Sequence, residues 1–154
     1  MPVVRILVDG YSLLHAWHDL APDEPRYSAA AREALIRVLI QYADSICTPI
    51  TLFFDGAGGP KDTPKNISSD SLEIVFSRDS KTADDLIERT AYRLKPYGEA
   101  LAVTNDYAER DTVISMGGLA QSCEDFVKDL KRTLDERDDF LKRYNRDEAN
   151  RYKR

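Results

Sequence analysis

Four short apolar runs, Val3–Val8, Ile50–Phe54, Leu72–Phe76 and Ala100–Thr104, alternate along the chain with stretches of helical periodicity. Parallel strands need crossover connections, and a sheet covered on both faces reads as unbroken apolar runs. The pattern therefore predicts an α/β sandwich around a mostly parallel sheet of four to five strands. A helix is expected over Ser12–Leu20, with Leu13, Leu14 and Trp17 on one face, broken by Ala21-Pro22 and Pro25. Ser28 is placed to cap a second helix, Ala29 to about Ile46, and Thr82-x-x-Asp85 reads as a capping box opening a third, to about Lys95. A short segment, Tyr107–Asp111, precedes Val113–Ser115. Met116-Gly117-Gly118 then breaks the chain before a long last helix, Leu119 to about Tyr144. Gly, Pro, Lys and Ser dominate Gly56–Asp70, so this stretch reads as a loop.

With 154 residues and 42% apolar side chains, the chain is sized for one core and not two. Residues 1–130 form the body. Residues 131–154 read as a helical extension and basic tail of the same domain; the first half of the last helix is expected to pack on the body and its second half to project, and the tail from Asn145 to Arg154 to fray. No apolar run approaches the length of a membrane span. The first residues have neither the basic start nor the apolar centre of a secretory signal, so a cytoplasmic location is expected. Cys47 and Cys123 are far apart and in no metal-ligand spacing, and both are expected to be reduced core thiols. The net charge of −5 is uneven: residues 1–130 hold 21 acidic and 13 basic side chains, whereas residues 131–154 hold 6 acidic and 9 basic.

Three of the apolar runs lead into an aspartate, at Asp9, Asp55 and Asp106. The C-terminal ends of parallel strands share one rim, so carboxylates there can converge, and Asp84 joins them because its helix starts at the same rim. Carboxylates crowded together repel unless a cation neutralises them. With oxygen ligands and no His or Cys cluster, that ion is expected to be Mg²⁺ or Mn²⁺, which suits phosphodiester hydrolysis. Asp9, Asp84 and Asp106 are the expected catalytic ligands, with Asp85, Glu88, Asp55 and Ser12 in support.

Bland readings compete at several of these positions. Asp55-Gly56 is also a good turn dipeptide, and Asp84 also complements a helix macrodipole. Asp85 is already explained by the capping box with Thr82 and by its spacing from Arg89. Glu109 and Asp111 read as solvated surface charges rather than outer ligands. His15 and His18 have no carboxylate partner at zinc-motif spacing, Ser12 has no matching base, and the glycines after Asp55 match no complete phosphate-binding fingerprint.

At VDGYSLLHAW, SKTADDLIERTA, VTNDYAERD and GGLAQSCEDF, the sequence resembles the YacP-like branch of NYN domains, within the PIN-like nuclease superfamily. The resemblance spans nearly the whole chain up to about residue 130 and rests on the order and spacing of these motifs. It implies a three-layer, Rossmann-like α/β/α fold and an acidic divalent-metal pocket at Asp9, Asp84 and Asp106. It also implies endoribonuclease activity leaving 5′-phosphate and 3′-hydroxyl ends, on messenger RNA in association with the ribosome. Two departures stand out. Ser12 replaces the asparagine of the usual DGYN motif, and Ala108 stands where many NYN domains outside this branch place a further acid.

An acidic body repels RNA except where basic side chains offset its field. Arg78, Lys81, Arg89 and Arg93 around the TADD segment, with Lys61 and Lys65 in the long loop, are the expected basic rim. Tyr11 and Tyr107, each close to an expected ligand, are candidates to stack on unpaired bases, and the basic tail is a candidate for docking on ribosomal RNA. The competing functions are a non-catalytic RNA- or ribosome-binding module with a degenerate pocket, and a small-molecule phosphohydrolase. The latter lacks its expected second acid, because Tyr11 stands there.

Overall fold

The computed structural model describes residues 3–56, 69–78 and 81–151. The elements are β1 (Val3–Asp9), α1 (Gly10–Ala16), α2 (Ala29–Ile46), β2 (Ile50–Phe54), β3 (Leu72–Phe76), α3 (Ala83–Leu94), β4 (Glu99–Val103), α4 (Tyr107–Ser115), β5 (Leu119–Gln121) and α5 (Cys123–Arg151). All five strands are parallel, in the order β3-β2-β1-β4-β5. The chain moves outward from β1 through β2 to β3, then returns across the sheet to β4 on the other side of β1. The strand order thus reverses between β1 and β4, the place where open parallel sheets form their binding crevice.

Alternation along the strands sorts the core into two layers. Ile6, Val8, Ile50, Leu52, Phe54 and Val103 face α1, α2 and the first turns of α5, joining Leu13, Leu14, Leu35, Leu39, Phe126 and Leu130. Leu7, Phe53, Ala100 and Ala102 face the other way, onto Ala83, Ile87 and Ala91 of α3 and Val113 of α4. Each fully buried large apolar side chain contributes about 1.5–3 kcal/mol. The second layer is rich in alanine, which lets α3 lie close over β1 and β4 and carries its N-terminus to the rim.

Several expected boundaries shift. The first helix begins at Gly10, because the Asp9 carboxylate already accepts the Ser12 N–H at 3.3 Å. A Cβ on Gly10 would collide with the Phe54 ring. The helix ends at Ala16 rather than Leu20. The irregular turn after it is held by Arg26, whose guanidinium donates to the carbonyls of Leu14, Trp17, Leu20, Ala21 and Glu24 at 2.5–3.1 Å.

Tyr107–Ser115 is one continuous helix. Leu119–Gln121 is a fifth strand and not the start of the last helix. Gly117 (φ +90°) makes the turn, and Gly118 packs where a Cβ would press on Val113 and the Ala100 carbonyl. The last helix begins at Cys123, with the Ser122 hydroxyl accepting the Asp125 N–H, and runs to Arg151, well past the expected end near Tyr144. Its residues from Asp135 onward are exposed apart from the half-buried Glu148, so its second half projects from the body. Cys123 is buried as expected, but Cys47 is exposed: it ends α2 in the left-handed conformation (φ 55°) that turns the chain outward.

Candidate metal centre

The crevice between the ends of β1 and β4 collects three carboxylates. Asp9 closes β1. Asp84 lies in the first turn of α3, whose entry is fixed twice: by the capping box between Thr82 and Asp85, and by Asp55 at the end of β2, which accepts the Ala83 N–H at 2.6 Å. Glu109 lies in the first turn of α4, whose N-cap is Asp106, accepting the N–H groups of Ala108 (3.0 Å) and Glu109 (3.4 Å). One carboxylate oxygen from each of Asp9, Asp84 and Glu109 lies within 4.8 Å of the other two.

The electrostatics of this trio are unfavourable in the bare protein. Burial raises the Asp9 pKa from 3.8 to about 7, with the charges of Asp84 and Asp55 adding to the rise and the Ser12 N–H opposing it. Glu109 is only 2% exposed, and burial followed by the facing Asp84 carboxylate pushes its pKa up to about 9. Neither of its buried carboxylate oxygens has a well-formed hydrogen bond, and the nearby Thr104 hydroxyl only partly opposes the rise. Buried acceptors are rarely left unmatched, and an ionised carboxylate facing two other ionised carboxylates has no donor to gain from them. A hard divalent cation fits this set of oxygen donors and would remove both the repulsion and the unmatched acceptors.

A second set of acids lies outside the trio. Glu88 is half-buried on α3, one turn beyond Asp84, and its pKa is raised by burial and then by the charges of Asp85, Asp84 and Asp106. Ser12 links the centre to its surroundings. Its N–H donates to Asp9, and its hydroxyl accepts from the Asn105 N–H at 3.1 Å and from the Cys123 thiol at 3.6 Å. Burial holds that thiol up at about 11, so it is not a nucleophile.

The structure therefore brings Asp9 and Asp84 together as the sequence suggests. The third member of the cluster is Glu109, which the sequence reading treats as a surface charge. Asp106 lies outside the trio, exposed, and caps the helix that delivers Glu109. One signal for Glu109 was available: it stands four residues before Val113, whose side chain is fully buried, so both share the inward face of α4. Asp55 acts on the centre through α3. Asp85 is exposed and serves the cap.

Among the expected RNA-contacting residues, Arg78, Lys81, Arg89 and Arg93 are exposed. Lys81 and Arg89 share a shallow groove of about 390 Å³ with Asp85, Glu88, Tyr92 and Met116. Lys61 and Lys65 lie outside the described residues. Tyr11 is a packing residue: its ring lies 4.7 Å from that of Tyr27 and 5.0 Å from that of Phe54, and its hydroxyl accepts from Arg32. Tyr107 is 75% exposed.

Comparison with known proteins agrees with this fold. The model of the YacP-like NYN domain matches residues 6–154. The chain belongs to this family. It is similar to the uncharacterized protein YacP of Bacillus subtilis (strain 168), with 28% identity over 127 residues that make up 82% of this chain and 74% of that protein. Two crystal structures of Rae1 (YacP) from Bacillus subtilis share the fold. One has a TM-score of 0.78 at 21% identity, covering 97% of this chain and 84% of the other. The second, a mutant, has a TM-score of 0.77 at 22% identity, covering 92% and 82%. YacP-like NYN membership puts the chain in a nuclease family, and its acidic cluster sits at the crevice of the parallel sheet.

Proposed function

We propose that the protein is a divalent-metal-dependent endoribonuclease that hydrolyses RNA phosphodiester bonds. The observation that carries this reading is the buried trio of Asp9, Asp84 and Glu109, with two unmatched Glu109 oxygens, in a chain of a nuclease family. A Mg²⁺ or Mn²⁺ ion bound there would supply a Lewis acid that orients water toward phosphorus and neutralises charge on the phosphate. The protein's own part is positioning. Ser12 fixes Asp9 through its backbone N–H, Asp55 fixes the start of α3 and hence Asp84, and Asp106 fixes the turn that carries Glu109. Asp106 and Glu88 stand as outer carboxylates, suited to hydrogen-bonding the water of a hydrated ion.

The Ser12 N–H that orients Asp9 is supplied by any residue type, so replacement of the motif asparagine leaves this function intact. Lys81 and Arg89, in the groove beside Glu88, are the basic residues suited to offset the negative field near the centre, with Arg78 exposed before α3 and Arg93 at the far end of that helix. Messenger RNA, met on the ribosome in the cytoplasm, is the substrate context we propose from the family resemblance. The projecting half of α5 is the segment proposed to dock there. Among the described residues no helix is long and apolar enough to cross a membrane.

The test is incubation of the purified protein with defined RNAs, with and without ribosomes, in Mg²⁺, Mn²⁺ or chelator. Metal-dependent internal cleavage that is lost in Asp84→Asn supports the reading. RNA or ribosome binding with no turnover under any of these conditions would reject it in favour of a binding module.

A further inference from the structure

Beside the trio, the N-termini of α4 and α5 enclose a groove of about 480 Å³ lined by Asn105, Tyr107, Arg110, Ser122, Glu124 and Asp125. Arg110 follows Glu109 in α4, so one helical turn carries a carboxylate to the metal centre and a guanidinium to the groove. That guanidinium lies over the Tyr107 ring, 4.1 Å from its centroid. Its Nε is buried without a hydrogen-bond partner, and among the described residues no ion pair engages Arg110. On the opposite wall stand the exposed acids Glu124 and Asp125, and Glu124 accepts from the Asn105 side-chain amide at 3.0 Å. The groove is tied to the metal centre through Asn105, whose N–H bonds the Ser12 hydroxyl, while the Ser12 N–H bonds Asp9.

We propose that this groove is a subsite for an unpaired nucleobase next to the bond cleaved, and that guanine fits it best. The inference rests on the RNA-substrate reading above. A planar guanidinium on an exposed tyrosine ring is a platform of the kind on which unpaired bases stack. A phosphate would meet the repulsion of Glu124 and Asp125, whereas a base edge bearing N–H groups finds acceptors there. Guanine presents two neighbouring donors, N1–H and the N2 amino group, which match one carboxylate. Uracil presents a single imino N–H and no amino group.

The experiment is fluorescence anisotropy of short single-stranded RNAs, all-uridine or with guanosines introduced, in the Asp84→Asn background so that the RNA stays intact. The guanosine-bearing RNA should bind more tightly. Tyr107→Ala should weaken it by about tenfold, within the range for loss of one base stack, while Tyr107→Phe retains it. Glu124→Gln should erase the preference for guanosine. Equal affinity for both RNAs, unchanged by Tyr107→Ala, would overturn the proposal. So would an Arg110→Gln variant that weakens both RNAs alike and lowers the salt dependence, because that is the behaviour of a phosphate contact.

Cleavage by the wild-type chain is measured separately and keeps the two readings apart. Cleavage without any guanosine or Tyr107 effect removes the subsite and leaves the nuclease. Tyr107-dependent guanosine preference without cleavage keeps the subsite and removes the nuclease.

Discussion

Asp106 accepts the backbone N–H of Glu109 at 3.4 Å, so the exposed acid at the end of β4 sets the turn from which the buried acid reaches Asp9 and Asp84. The two carboxylates divide the work: one shapes the helix start, and the other enters the cluster. Their substitutions should therefore behave differently.

Above about pH 9, where the raised Glu109 carboxyl is ionised, Glu109→Gln removes one of three crowded charges and supplies an amide donor toward Asp84. In that range the metal-free variant is expected to be more stable than the wild type by about 1 kcal/mol, a rise of about 2–4 °C in Tm for a chain of this size. Cleavage should fall by about 100-fold or more. Differential scanning fluorimetry in chelator and single-turnover cleavage check the two halves. A lower Tm with unchanged cleavage would show that Glu109 is an ordinary structural acid.

Stability of the metal-free protein should depend on pH with a sign set by the raised carboxylates. Asp9 has a folded pKa of about 7 against 3.8 for the ordinary group, so the folded state holds a proton that the unfolded chain has released. Stability contributed by this site is fully present below the ordinary pKa and is lost as pH rises toward and through 7, with Glu109 extending the loss to higher pH. Tm measured in chelator from acidic to mildly basic pH should show this decline, and Asp9→Asn should flatten its lower part. Added Mn²⁺ should cancel the decline and bind more tightly as pH rises, since binding displaces protons.

Asp55→Ala should weaken metal binding without removing a ligand. The Ala83 N–H loses its acceptor at the start of α3, costing about 1 kcal/mol of stability. Asp84 becomes less well placed. Asp55→Asn keeps an acceptor oxygen and should restore both Tm and Mn²⁺ affinity. If the asparagine variant fails as badly as the alanine one, charge at Asp55 matters more than its hold on α3.

Gly10→Ala drives a Cβ into the Phe54 ring at the junction of β1 and α1. Overpacking of this kind costs about 1–3 kcal/mol. The same shift displaces Asp9, so metal affinity should fall with stability. Urea denaturation and Mn²⁺ titration of one preparation measure both, and Phe54→Leu should partly relieve the clash.

The strands legible in the sequence are those with a continuous apolar run, including the edge strand β3, whose Glu73 is exposed. Val3–Val8, Ile50–Phe54, Leu72–Phe76 and Ala100–Thr104 are apolar throughout or nearly so, and they fall on β1 to β4 to within a residue. Leu119–Gln121 carries no such run, being a three-residue edge strand with Leu119 exposed, and only its pairing with β4 makes it a strand. Val113-Ile114-Ser115 looked separable from Tyr107–Asp111 because β-branched residues are weak helix formers. The Asp106 cap and the packing of Val113 outweigh that preference. Asp9 and Asp84 were legible because the strand-end rule and the family motif both point to them. Glu109 was not, because a glutamate in a first helical turn is ordinarily solvated, and its burial comes from α3 lying across β1 and β4.

Asp9, Asp84 and Glu109 are assigned here to hold one divalent cation. Mn²⁺ titration calorimetry of the wild type, Glu109→Gln and Asp106→Asn near neutral pH tests this assignment most directly. The wild type should bind the ion, Glu109→Gln should lose about tenfold or more in affinity, and Asp106→Asn, whose amide oxygen still caps α4, should be nearly unchanged. Full affinity in Glu109→Gln, with the loss falling on Asp106→Asn instead, would contradict the assignment.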